Sequence, residues 1–246
     1  MECFSLLRSD VPALIDHLRD FGEVIAPHGK GDVSYSFEVV RDSSDVVLDY
    51  NRTLLPLKKM FLPPVEKLMG FSLKNESFEQ VEVAIAPRVF FGVHSYEMQS
   101  ILRLDHSMLS GSAESNYFKR RQSSRFLGIS FEPDEFHFSE SVGIVIEEME
   151  GFDLFLNEVD GDFQLYVLTD NGQEMLNGFD KINLTEPEIV EGRHFKKKIR
   201  YHYNRLPRVF QYAYHSDVWA DVASRCVGCG ACTLTCPTCF CFDVHD

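Results

Sequence analysis

At 246 residues, with 44% hydrophobic and 13% aromatic side chains, the chain can bury a sizeable core as one large domain or a medium domain with an appendage. Its 38 acidic and 24 basic side chains leave a net charge of -14, which argues against nucleic acid as a partner. No stretch approaches the roughly 18 apolar residues of a membrane span, and Met1-Glu2 is not followed by the basic and apolar regions of a secretory signal, so the expected location is the cytoplasm.

Ser9-Asp10-Val11-Pro12 opens a helix whose Val11, Leu14, Ile15 and Leu18 share one face, and Gly22 closes it. Val33, Tyr35, Phe37 and Val39 alternate as a half-buried strand, and Val81, Val83 and Ile85 repeat the pattern. Gly29-Lys30-Gly31 is too short for a phosphate loop and reads as a turn. A further strand is expected from Arg125 to Phe131. Asp153–Val159 and Phe163–Thr169 form a hairpin about Asp160-Gly161, a dipeptide suited to a tight turn. These elements give a mixed α+β fold without a regular βαβ repeat.

Thr185-Glu186-Pro187-Glu188 is a capping box with proline in the first turn, which predicts a helix over about 186–203, with Gly192 allowing two shorter ones. From Gly192 to Arg208 there is no acid, while Arg193, Lys196, Lys197, Lys198, Arg200, Arg205 and Arg208 are present. The run reads as a solvated helix face or as a docking surface for an acidic redox partner or cofactor phosphates. The domain plan is a mixed α+β domain over 1–182, a basic helical linker over 183–224 and a cysteine-rich segment over 225–246.

That last segment holds six of the seven cysteines: Cys226, Cys229, Cys232, Cys236, Cys239 and Cys241. The first four read C-x2-C-x2-C-x3-C-P, closed by Pro237, the run by which bacterial ferredoxins hold cubane clusters. Cys226, Cys229 and Cys232 can wrap three corners of one [4Fe–4S] cube. Cys236 is directed to a second, so 225–246 reads as a ferredoxin-like iron–sulfur segment. Structural zinc wants a second Cys/His pair roughly 12–20 residues away, and no cysteine pair precedes Cys226. Disulfides suit small stapled scaffolds rather than a 28.3 kDa chain with its cysteines bunched at one end. Cys3 stands apart and reads as a small buried hydrophobe. No nucleotide-binding glycine loop, metalloprotease helix or assignable catalytic triad is present, so no residue is expected to be catalytic.

The segment Cys226–Asp243 resembles the dicluster motif of the family that unites one subunit of anaerobic sulfite reductase with the sulfhydrogenase beta subunit, and Pro237-Thr-Cys-Phe-Cys-Phe-Asp243 is its more specific part. Pro56-Leu-Lys-Lys-Met-Phe-Leu-Pro-Pro64, Phe91-Gly92-Val93, Tyr117-Phe-Lys-Arg-Arg121 and Gly151-Phe-Asp-Leu154 are similar to further family signatures. The resemblance implies an electron-transfer subunit with two [4Fe–4S] clusters, set between a flavin subunit that oxidises NAD(P)H and a catalytic reductase or hydrogenase subunit. It also implies a second C-x2-C-x2-C beyond Asp246, so the segment is expected to be the first half of a dicluster domain. Cys239 and Cys241 would tune or cap the second cluster, or pack near it. Many family members carry four more cysteines upstream, where this chain has Tyr96, Phe131, Phe136 and Phe138. These four aromatic side chains are expected to converge and fill a lost cluster site. The alternative from another class is a zinc-stabilised interaction module without a redox role.

Overall fold

The computed structural model describes residues 2–81, 84–188 and 193–240. Strand β1 (Glu2–Leu6) leads through a 3-10 turn into helix α1 (Val11–Leu18). Pro12 sits in the first turn, where its missing N–H forfeits no helical bond. Val11, Leu14, Ile15 and Leu18 are its buried face, as their spacing implies. Asp10 does not cap the helix through its side chain; its carboxylate takes Lys181 Nζ at 2.9 Å.

β2 (Glu23–Gly29) and β3 (Tyr35–Val39) pair antiparallel. Val33 falls outside β3 and is 86% exposed, because β3 is an edge strand and only Phe37 of the alternating set reaches the core. β4 (Met69–Ser72) and β5 (Ser77–Gln80) form a separate hairpin. The strand expected at Val81, Val83 and Ile85 is not found: Val81 and Ile85 lie in irregular backbone, and Val83 lies outside the described residues. The sheet position beside β2 goes instead to the more apolar β6 (Arg88–Val93).

After β6 the chain forms α2 (Ser95–Leu109) and α3 (Ser115–Gln122), then returns as β7 (Ser124–Ile129) parallel to β6. β8 (Leu154–Val159) and β9 (Asp162–Val167) make the expected hairpin. Asp160 and Gly161 stand at φ +52° and +91°, the two left-handed positions that a type I′ turn requires. Replacing Gly161 by valine should cost about 1–2 kcal/mol, since a β-branched side chain resists that backbone; chemical unfolding would read it as a lower midpoint. α4 (Asp170–Leu176) and β10 (Asn183–Leu184) complete the order β10-β1-β9-β8-β7-β6-β2-β3.

The centre of this eight-stranded sheet is parallel, with both faces covered. Successive side chains therefore alternate between two cores rather than between core and water. Val89, Phe91, Leu127, Ile129, Leu154 and Leu156 pack against α1 and α4. Phe90, Phe126 and Phe155 point the other way, against Met98, Ile101 and Leu104 of α2 and Tyr117 of α3. Cys3 is buried in this second core, and burial pushes its thiol up. The mixed character of the fold matches the expectation, while the β6-α2-α3-β7 crossover adds a parallel unit to it.

The helix expected over 186–203 does not form in the described residues, of which 189–192 are not part. The chain there is a strap whose backbone bonds go sideways. Thr185 N donates to Cys3 O at 3.0 Å, and Glu188 N to Gln164 Oε1 at 3.0 Å. Arg193 is drawn inward, its side chain 8% exposed, with Nη1 on Glu147 Oε1 at 3.0 Å and Asn157 Oδ1 at 2.6 Å. Its Nη2 donates to Glu158 O at 2.6 Å, and its Nε faces Glu132 at 3.2 Å. The start of the basic run thus serves the chain's own acids, which the local capping signal could not reveal. Helices α5 (Leu206–Tyr212) and α6 (Val218–Ser224) follow, with Phe210, Tyr212 and Trp219 on the surface. No helix among the described residues is long and apolar enough to cross a membrane.

Candidate functional site

Cys226 and Cys229 are exposed on the loop between α6 and the short helix α7 (Ala231–Thr235), Cys232 is exposed within α7, and Cys236 and Cys239 are half-buried just beyond it. Cys241 lies outside the described residues. Gly228 and Gly230, at φ +70° and +73°, flank Cys229 and give the loop its left-handed corners. Gly228 N donates to Cys226 Sγ at 3.4 Å, the kind of N–H···S bond that stabilises a thiolate. The Thr238 hydroxyl, 3.5 Å from Cys236 Sγ, and secondarily Cys239 pull the Cys236 thiol down to about 7. Among the described residues no three His, Cys, Asp or Glu side chains stand close enough to share a metal ion. The donor set nevertheless fits iron–sulfur chemistry: soft thiols on a glycine-hinged loop, with backbone amides turned toward sulfur.

The segment is tied to the folded domain by Lys58, whose Nζ donates to the carbonyls of Thr233 at 3.0 Å, Cys236 at 2.6 Å and Cys239 at 2.8 Å. Lys58 stands on a 3-10 turn, Leu57–Met60, held down by the buried Leu57.

A second cluster of functional side-chain types lies at the carboxyl ends of β6 and β7, the edge where open α/β sheets place their sites. His94 follows β6, and its ring is sandwiched between Tyr50 at 4.0 Å and Phe131 at 4.5 Å. Tyr96 meets Phe131 edge to face at 5.4 Å, and His137 lies 5.2 Å from Phe131. Two of the four expected aromatics therefore converge, as Tyr96 and Phe131. Phe136 and Phe138 do not, being 57% and 45% exposed. The reason is local: Asp134 accepts Phe136 N at 2.8 Å and holds His137 Nδ1 at 2.9 Å, a turn that aims His137 inward and its two neighbours out. Phe136 instead lies under the Arg52 guanidinium at 4.8 Å.

The Tyr96 hydroxyl gives its one proton to Asn51 O at 2.9 Å, so toward His94 Nδ1, 3.1 Å away, it can only accept. That assigns the Nδ1–H tautomer to His94 and leaves Nε2 without a partner among the described residues. Burial, aided by His137, lowers the His94 pKa well below the ordinary imidazole range, so the ring is neutral.

The adjacent Glu97, buried in the first turn of α2, accepts Leu57 N at 3.2 Å. Burial pushes its carboxyl up to about 7, against the pull of Leu57 N and Lys59. An unfolded glutamate titrates near 4.3, so the folded state holds this proton more tightly. The stability this gives is complete below that lower value and is lost as pH rises through about 7. Between pH 5 and pH 8 the native chain should lose about 2–3 kcal/mol relative to Glu97→Gln, which keeps a neutral acceptor for Leu57 N. Denaturant unfolding of both proteins at the two pH values measures it, and parallel pH profiles would refute it.

His94, His137, Glu97, Tyr50 and Lys58 are not legible as site residues in the sequence, because each gains its role from a residue far along the chain. The His94-to-Glu97 tetrad gives one local hint, as polar residues at the end of an apolar strand. Comparison with known proteins gives 34% identity over 245 residues to Sulfhydrogenase 2 subunit beta of Pyrococcus furiosus, covering 96% of this chain and 71% of that protein. No protein-family model matches the chain, and no solved structure matches it at a significant level.

Proposed function

The chain belongs to the sulfhydrogenase beta-subunit family, and we propose from this that it is an iron–sulfur electron-transfer subunit of a multisubunit oxidoreductase. It relays electrons between a flavin subunit that oxidises NAD(P)H and a catalytic subunit of the hydrogenase, sulfur-reductase or sulfite-reductase type. The observation that carries this reading is the C-x2-C-x2-C-x3-C-P run on a loop with left-handed Gly228 and Gly230. Cys226, Cys229 and Cys232 hold the first [4Fe–4S] cluster, and Cys236 serves the second. When bound, such clusters supply one-electron carriers whose potential follows burial and hydrogen bonds to sulfur. The chain's own part is to present thiolates, to donate Gly228 N–H to Cys226 Sγ and to hold Cys236 in a readily ionised state beside Thr238. Cys239 and Cys241 are candidates to tune or cap the second cluster or to pack near it. The substrate chemistry belongs to the other subunits.

Anaerobic purification followed by iron, sulfide and zinc analysis tests the reading. The expected result is a brown protein with labile sulfide whose visible absorption bleaches with dithionite. A colourless protein with stoichiometric zinc would overturn it in favour of an interaction module.

A further inference from the structure

We propose that Lys58 is a positioning residue: it docks the cysteine-bearing segment on the folded domain and sets a fixed positive charge beside the iron–sulfur centre. The docking half stands on geometry alone; the redox half rests on the function proposed above.

An ammonium group has three N–H donors, and Lys58 spends all three on backbone carbonyls 175, 178 and 181 residues away. Two of these oxygens, on Thr233 and Cys236, belong to the last turn and C-cap of α7. Carbonyls there lack helical partners, and the end of a helix favours a cation. The third, on Cys239, carries the clamp past Pro237. One side chain therefore fixes the path of the chain from the third cysteine to the fifth.

The base of the clamp is rigid. Pro56 and Leu57 are buried, Leu57 N is bonded to Glu97, and Phe61 is packed against Phe90 and Tyr117. Lys59, the next residue, turns the other way, with Nζ on Ser36 Oγ at 3.2 Å. The two lysines thus have separate partners, and Lys59 supplies an internal control.

A cation fixed on the carbonyl of Cys236 favours the more negative, reduced state of a centre held by that segment. Reduction adds one electron, which dithionite supplies in the test, and breaks no bond. One fixed unit charge close to such a centre, at an intermediate dielectric, would be worth on the order of a tenfold change in the reduced-to-oxidised ratio.

The test compares Lys58→Met, Lys58→Arg and Lys59→Met in the full chain. Backbone order parameters from NMR on the iron-free protein read the docking. Residues 231–239 should fall from near-rigid values of about 0.85 to below about 0.6 in Lys58→Met, and stay rigid in Lys59→Met. After cluster loading, an EPR-monitored titration should show the Lys58→Met centre about tenfold harder to reduce, a shift of about 59 mV for one electron. Lys58→Arg should retain the potential, since it keeps the charge. Unchanged order parameters in Lys58→Met would overturn the docking, whatever the iron content. Loosening without a change in potential would overturn the charge effect. An iron-free wild-type protein would count against the proposed function and leave the docking result standing.

Discussion

Cys229→Ser should strip the chain of most of its iron, with the content per chain falling about tenfold or more. Cys229 is the middle thiol of the three, and its neighbours Gly228 and Gly230 are both in left-handed backbone. The loop can turn sharply on either side of this sulfur, so no other cysteine can take its place without unwinding both corners. Serine offers a hard oxygen that competes poorly for iron in a sulfide cube. Cys236→Ser should behave differently, because the proposed assignment gives that sulfur to the second cluster. It should leave the iron of the first cluster largely in place. Iron assays on anaerobically reconstituted variants decide the matter. Equal iron in Cys229→Ser and the unsubstituted protein would sink the ligand assignment.

Arg193→Met should destabilise the fold by about 3 kcal/mol, the usual scale for removing one partner from a buried ionic network. For a domain of this size that corresponds to a melting temperature roughly 6–12 °C lower. The guanidinium joins Glu147, Asn157 and the Glu158 carbonyl, groups reached from the loop after β7 and from β8. Methionine fills much of the volume but leaves Asn157, which is buried, and the Glu158 oxygen short of a donor. The exposed Glu132 contact contributes little, being screened by water. Lys198→Met is the comparison, because Lys198 meets Glu140 only at 3.7 Å with both side chains largely exposed. It should cost less than about 1 kcal/mol. Similar melting temperatures for the two variants would show that the basic strap is not pinned at Arg193.

Features that depend on neighbours within a few residues are legible in the chain alone. The apolar face of α1 follows from the spacing of Val11, Leu14, Ile15 and Leu18. The β8–β9 hairpin follows from Asp160-Gly161, whose two positive φ angles have few other local solutions. The C-x2-C-x2-C-x3-C-P spacing is likewise a short-range pattern, and the iron–sulfur chemistry proposed for it rests on that spacing. β6 is harder to see, since a strand buried on both faces shows no polar alternation, and Phe90 and Phe91 enter opposite cores. The failed helix over 186–203 marks the limit of local signals. Its capping box is sound, but Gln164 and Cys3 offer the backbone better-placed partners across the sheet edge. Long-range packing alone brings His94 between Tyr50 and Phe131 and sets Lys58 against carbonyls at the far end of the chain. The physical reason is shared by both. Hydrogen bonds and ring contacts between residues tens to hundreds of positions apart are fixed by sheet topology, and strand order is not encoded in any one window of sequence.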